Sequence, residues 1–414
     1  MLRIIESKQS AKLLTRRLAR MAQAERAVRP ILDDVRKRGD KALLEYARRF
    51  DKLEAKSVVV PGDVLEDAWD RLAPQLQSAI REAAKNIRAY AEMQLPTERS
   101  IEPAPGVHLS QIVRPLDTVA AYIPSGRYPL PSTLLMTAIP ARVAGVRYIC
   151  AASPKPADAV LGTAAGRVDR FYQMGGAHAI AAFAFGTNSV PRADRIVGPG
   201  SIWVAAAKKI LAGETGIDFI AGPTEILIVA GSDGDPRAIA ADMLAQAEHD
   251  TDASAVLLTP SKRLALAVVG EVEKQLKTLP TAAVARQSID KNSAVVLVAS
   301  VDEAVELSNN FAPEHLSIPD ATLLPGIRHA GSVFIGPHSP EAAGDYCSGP
   351  NHVLPTGGAA RLRGGLSVAD FVKVISVQQL SPGALQRLTP SITTLARAEG
   401  LEAHARSVEV RGRA

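Results

Sequence analysis

In NNFAPEHLSI, residues 309–318, a glutamate and a histidine stand side by side just after a proline, inside an otherwise apolar run. Glu314 and His315 combine a carboxylate with an imidazole, two side chains that commonly take and return protons in enzymes. Earlier, LAQAEHD places Gln246 and His249 three apart near the end of an expected helix, so both face one side. That spacing suits two metal ligands, although by itself it more often marks a surface pair. The loop GDYCSGPNHVLPTGG brings together Asp345, Tyr346, Asn351 and His352, and AEGLEAH adds Glu399 and His404 near the carboxyl end. Singly each is a polar surface residue. Together they hold the nitrogen and oxygen donors of a zinc site that keeps positions open for a substrate. Gln246, His249, Asp345 and His404 would form such a set without a thiolate. Cys347, two residues from Asp345, would have to turn back to reach the same ion and ranks lower.

Residues so far apart in sequence meet only if the fold carries them to one place. From about residue 10 to 95, apolar spacings of three and four in AVRPILDDVRKRG, ALLEYARRF and LQSAIREAAKNIRAYAEMQ predict helices. From about 112, short apolar runs such as TVAAYIP, VRYICAAS and EILIVAG alternate with helical segments, which implies parallel, doubly wound sheets. A helix with Asp235 as N-cap and Pro236 at its first position opens a second α/β unit. The tail from about 366 reads as mostly helical. Three strand ends carry glycine: GGA at 175–177, GPG at 198–200 and AGP at 221–223. The first two open helices, whose free N–H groups and dipole favour a phosphate. None spells GxGxxG, and each alone is a tight turn. Their place at the carboxyl ends of successive strands is what points to a ligand edge.

Composition narrows the classes. A chain of 414 residues, 47% apolar and 22% charged, has material for roughly two or three packed domains. The net charge of +5 is spread along the chain, and with 4% aromatics no basic, aromatic-rich platform for nucleic acid stands out. Cys150 and Cys347 are far apart and no signal peptide precedes Met1, so a reducing, cytoplasmic compartment is expected. Pro and Arg interrupt every apolar stretch before it could span a bilayer, so no membrane association is expected.

Taken together, YIPSGRYPLPSTLLM, GGAHAIAAFAFGT, VGPGSIWVAAAKK, IDFIAGPTEILIVA, DMLAQAEHD, APEHL, AGSVFIG, GDYCSGPNHVLPT and EGLEAH resemble the histidinol dehydrogenase family, in its order, from about residue 10 to 412. The resemblance implies NAD-dependent oxidation of L-histidinol through L-histidinaldehyde to L-histidine, in a homodimer with one zinc ion per subunit. It makes Gln246, His249, Asp345 and His404 the zinc ligands, and Glu314 and His315 the bases. His315 would serve the alcohol and Glu314 the water that attacks the aldehyde. Thr224, Gln246, His249, His352 and Glu399 match substrate positions, with Glu399 and His404 reaching the site of a partner subunit. Tyr122, His178 and Ser201 match NAD positions. His178, Ser201 and Thr224 depart from the family's usual Gln, Asn and Ser. Histidine and serine still hydrogen-bond, and Thr224 keeps a hydroxyl.

The resemblance also implies two incomplete Rossmann-type domains with parallel sheets and small helical extensions. Residues 1–17 are read as an N-terminal helical extension, and 18–121 with 226–365 as the domain holding metal and catalytic residues. Residues 122–225 are then an inserted NAD domain and 366–414 a helical tail. A paralogue acting on another alcohol, such as a sulfonated diol, is the main alternative, and Glu399 would repel a sulfonate. A zinc hydrolase or a metal-stabilised binding protein would leave the glycine-bearing strand ends or the Glu314–His315 pair unexplained.

Overall fold

A computed structural model describes residues 2–13, 18–126 and 128–411. The chain opens with strand β1 (Arg3–Glu6) and a short 3-10 segment (Ser7–Leu13), followed by helices α1 (Leu18–Arg38) and α2 (Asp40–Tyr46). Next come β2 (Val59–Val60), α3 (Gly62–Arg71), α4 (Pro74–Met93), β3 (Arg99–Ala104) and β4 (Val107–Pro115). A run of alternating elements follows: β5 (Thr118–Tyr122), α5 (Pro131–Val143), β6 (Tyr148–Ser153), α6 (Asp158–Ala164), β7 (Arg170–Gln173), α7 (Gly176–Phe185), β8 (Arg195–Val197), α8 (Ile202–Leu211) and β9 (Gly216–Ile217). The second run is β10 (Glu225–Val229), α9 (Pro236–Ala247), β11 (Ser254–Thr259), α10 (Lys262–Gln275), α11 (Ala282–Asn292), β12 (Ala294–Leu297), α12 (Val301–Phe311), β13 (His315–Ile318), β14 (Ser332–Ile335) and α13 (Glu341–Tyr346). Strand β15 (Val372–Leu380) and helices α14 (Pro382–Ala398) and α15 (Glu402–Glu409) end the chain.

These elements form two compact units, Met1–Gln94 with Leu116–Phe371, and Leu95–Pro115 with Val372–Ala414. The larger unit holds two six-stranded sheets. The first has the order β1-β12-β11-β10-β13-β14 and is parallel throughout. The second has the order β2-β7-β6-β5-β8-β9, parallel except for β2 against β7. Central strands such as β10, EILIV, are buried at every position, as both-face coverage of a parallel sheet demands. In the first sheet Ile226 and Ile228 pack with α9, α10 and α11 on one face, while Leu227 and Val229 pack with α12 on the other. The doubly wound α/β reading therefore holds, and Asp235 caps α9 by accepting the Arg237 N–H, with Pro236 in the first turn.

Three boundaries differ from the sequence reading. Within 1–17, Arg3–Glu6 is an edge strand that pairs with β12, because its apolar Ile4 and Ile5 find cover there; residues 1 and 14–17 lie outside the described residues. Of residues 18–121, the helices before Gln94 and the strand β5 go with the second sheet, where Val28, Leu32 and Leu43 bury themselves against Ala120, Cys150 and Tyr172, while Leu95–Pro115 joins the smaller unit. The stretch from 366 is mostly helical, as read, but also carries a strand: β15 pairs antiparallel with β4 over nine residues and builds a three-stranded sheet with β3.

The second sheet closes on a buried ion pair. Lys208 of α8 donates to Asp218 at 2.7 Å and to the Gly198 carbonyl at 2.6 Å, while Asp218 accepts the Gly198 N–H. Both side chains are almost fully buried, so losing one charge strands the other in a low dielectric. Lys208→Met should lower the unfolding free energy by about 3–5 kcal/mol. Its neighbour Lys209, paired with Glu25 at the surface, should cost under about 1 kcal/mol when changed to Met. Denaturant unfolding of the two variants checks the contrast, and equal losses would sink it.

Candidate active site

Parallel pairing of β10 with β13 sets Ile226 opposite His315, and so brings the main chain at Thr224–Glu225 beside Glu314. The Glu225 N–H donates to Glu314 Oε2 at 2.9 Å and the Thr224 hydroxyl donates to the same oxygen at 2.5 Å. Burial pushes the Glu314 carboxyl well above the usual carboxylate range, outweighing those two hydrogen bonds; Glu225 and Asp345 push the same way.

His315 lies 3.2 Å through Nδ1 from the Glu225 carbonyl oxygen, which can only accept, so Nδ1 carries the proton. Its Nε2 is buried with no hydrogen-bond partner and sits 3.7 Å from Asp345 Oδ1. Burial pulls the imidazole down to about 4, against the attraction of Asp345. At neutral pH His315 is thus an uncharged base whose free lone pair points into the cluster.

His352 has the opposite fate. Its Nδ1 lies 2.8 Å from the Asp345 carbonyl oxygen and its Nε2 3.2 Å from the Thr133 hydroxyl, so both nitrogens are engaged. Asn351 donates to the Met136 carbonyl at 2.6 Å, and these two bonds tie the loop after α13 to α5 of the second sheet.

Gln246 is fully buried at the end of α9. Its amide nitrogen donates to Thr224 Oγ1 at 2.5 Å, which leaves the single hydroxyl proton of Thr224 for Glu314, and the other end of the amide faces the Glu341 carboxyl. Of the four expected metal ligands, only His249 and Asp345 face one another, Nε2 to Oδ2 3.9 Å apart. Gln246 is turned inward to Thr224 and Glu341. His404 and Glu399 belong to the smaller unit, His404 exposed in the first turn of α15 and Glu399 as the C-cap of α14. Among the described residues no group of three or more His, Cys, Asp and Glu side chains is arranged to hold a metal ion. The His249–Asp345 pair beside the unpartnered His315 Nε2 nevertheless has the nitrogen and oxygen chemistry of a zinc-type ion with open positions.

Sequence reasoning missed Glu341. This carboxyl is buried 3.4 Å from His315 Nδ1, and burial, followed by Asp345, Glu314 and Asp242, drives it well above its ordinary range. Asp242, one turn before Gln246, is pushed up to about 6 by burial. The signal available in sequence was only a glutamate in the first turn of a short helix, a common place for one.

At the carboxyl edge of the second sheet, β5 and β8 diverge to opposite sides of the chain path, the crevice where such sheets bind ligands. Gly198 there has φ +104°, and a Cβ would meet the Tyr122 carbonyl oxygen at 2.2 Å. Ser201 caps α8 without a side-chain hydrogen bond to it and is exposed. The turn at 175–177 is different from expectation. Its Gly175 N–H donates to Asp51 and its Gly176 N–H to the Tyr122 hydroxyl, so neither is free for a phosphate. His178, expected at a cofactor, is buried instead. Its Nε2 sits 2.7 Å from Asp51, and its ring lies near Tyr46 and Phe50. Asp51 ends an irregular turn after α2 that no sequence pattern announces.

The family model for histidinol dehydrogenase matches residues 14–412. The chain is 46% identical to histidinol dehydrogenase of Geobacter sulfurreducens over 94% of this chain and 93% of that one. It is 47% identical to the Methanothermobacter thermautotrophicus enzyme of that name, over 92% and 91%. A crystal structure of histidinol dehydrogenase from Elizabethkingia anophelis superposes with a TM-score of 0.94 at 35% identity, covering 99% of this chain and 98% of that one.

The His315 imidazole sets a sign for acid stability. Unfolded, it binds a proton as pH falls through its ordinary 6.5, whereas in the folded state it stays neutral down to about 4, so its contribution to stability is lost in that window. The difference in unfolding free energy between the parent protein and His315→Gln should move against the parent by roughly 2 kcal/mol between pH 7 and pH 5. Denaturant unfolding at both pH values reads it. No movement would mean that the imidazole is solvated.

Proposed function

Because the chain belongs to the histidinol dehydrogenase family, we propose that it oxidises L-histidinol through L-histidinaldehyde to L-histidine, the last steps of histidine biosynthesis. The observation that carries this reading is the buried, unpartnered Nε2 of His315 beside the raised carboxyl of Glu314. His315 Nε2 takes the alcohol proton while the carbon loses a hydride. Glu314, held by Thr224 and Glu225, takes a proton from the water that adds to the aldehyde, and the resulting hydrate gives up a second hydride and a proton to leave the acid.

NAD would supply the hydride acceptor in both steps and would be held at the switch-point crevice by Tyr122, Gly198 and Ser201, with His178 shaping the neighbouring turn from behind through Asp51. A zinc ion would be held by His249 and Asp345, with Gln246 and the His404 of a second copy, and would orient the substrate's imidazole and amine. His352 and Glu399 line the substrate on this reading. The second copy is supported by the smaller unit's surface. Its three-stranded sheet leaves Ile101, Val374 and Ile375 exposed, and Leu395 of α14 and Val410 at the C-cap of α15 are exposed too, apolar area that asks for cover. No described helix is long and apolar enough to cross a membrane.

Purified, zinc-loaded protein should form two NADH per L-histidinol, and a chelator should abolish turnover. Glu314→Gln and His315→Asn should each lose about 10²–10⁴ in rate at unchanged zinc content. One NADH per alcohol would remove Glu314 from the second step, and none would overturn the substrate. If sites are shared between copies, mixing inactive Glu314→Gln and His404→Asn proteins under subunit exchange restores activity, because one site of each mixed dimer carries neither change. Mixtures that stay inactive after proven exchange would refute sharing.

A further inference from the structure

Helix α4 presents Arg81, Lys85 and Arg88 at spacings of four and three, one stripe along its surface. Together with Arg167, at the turn after α6, they line a cavity of about 660 Å³ whose remaining walls are Trp69, Ala84, Ile139, Ala165 and Gly166. No carboxylate lines it, and among the described residues none pairs with any of the four cations. Trp69 is the centrepiece. The guanidinium carbons of Arg81 and Arg167 each lie 5.4 Å from its ring centroid, and its carbonyl accepts from Gln77 at 2.9 Å. Trp69 is seated by close helix packing: a Cβ on Gly162 would meet its Cα at 2.8 Å. Arg167 is anchored by donating to the Thr163 carbonyl at 3.0 Å. Burial, then the charge of Arg81, lowers its basicity, an electrostatic strain that a bound anion would relieve.

We propose that this basic cavity is a binding site for a small phosphorylated anion, built from none of the residues of the Glu314–His315 cluster. Three guanidiniums and an ammonium converging on one concavity match phosphate oxygens, which arginine grips in pairs. The volume is that of a small-molecule site. A nucleic acid strand would need an aromatic face free for stacking, and the Trp69 ring is already taken by guanidiniums.

The protein has two tryptophans, so a Trp203→Phe background leaves Trp69 as the sole reporter at the cavity. Titrating that full-length protein with pyrophosphate at low ionic strength should change Trp69 emission saturably. In Arg81→Ala/Lys85→Ala the dissociation constant should rise at least tenfold, with circular dichroism unchanged. Should that double variant misfold, Arg88→Gln at the exposed end of the stripe gives the same comparison with a smaller shift. Absence of a saturable change, or equal affinity in parent and folded variants, overturns the proposal. So does an oligonucleotide that quenches Trp69 where pyrophosphate does not, since that outcome assigns the stripe to a polymer.

Discussion

The pairing of β10 with β13 is the constraint on which the site depends. One residue, Glu225, gives its N–H to the Glu314 carboxyl and its carbonyl oxygen to the His315 imidazole. The first bond holds a carboxyl oxygen in place; the second decides which imidazole nitrogen carries the proton and leaves the Nε2 lone pair without a partner. Because side chains alternate along a strand, a register slip of one residue would turn His315 to the other face and dissolve both contacts. The register is fixed in turn by apolar packing on both faces of the sheet, where Ile226, Ile228 and Leu316 are buried.

The two sheets of the larger unit meet the site with opposite edges. Thr224, Glu225, Glu314 and His315 stand at or just before the amino ends of β10 and β13, whereas Tyr122, Gly198 and Ser201 stand at the carboxyl edge of the second sheet. The chain crosses from one edge to the other between β9 and β10, and the contacts of Asn351 with Met136 and of His352 with Thr133 tie them together. The carboxyl-edge rule for doubly wound sheets therefore points to the second sheet and not to the first. The buried Lys208–Asp218 pair serves the second sheet by clamping Gly198 from both its N–H and its carbonyl.

Electrostatics explain why the cluster suits proton transfer. Glu314, Glu341 and Asp242 are carboxyls raised by burial, and His315 and His352 are imidazoles lowered by it. Desolvation penalises the charged form of every one of them, so carboxyls and imidazoles alike are driven toward their uncharged forms. The two histidines differ in their hydrogen bonding: His352 spends both nitrogens on its neighbours, and His315 keeps one.

Much of this was legible in the sequence, for physical reasons. Residue period and strand–helix alternation are local properties, so the parallel α/β sheets, the Asp235 cap and the family with its motif order could be read directly. The adjacency of Glu314 and His315 and the three-residue spacing of Gln246 and His249 are likewise written in one dimension. What needed the tertiary structure were contacts across long sequence separations. Glu341 against His315, Asp51 against His178 and Lys208 against Asp218 join residues whose local patterns carry no sign of one another. The strand at Arg3–Glu6 and the one opening the tail escaped for the same reason: four or nine residues become a strand only when a partner edge supplies the hydrogen bonds. Sequence determined which groups were available for chemistry, and the packing of buried, distant residues decided their tautomers, their charges and which of them face one another.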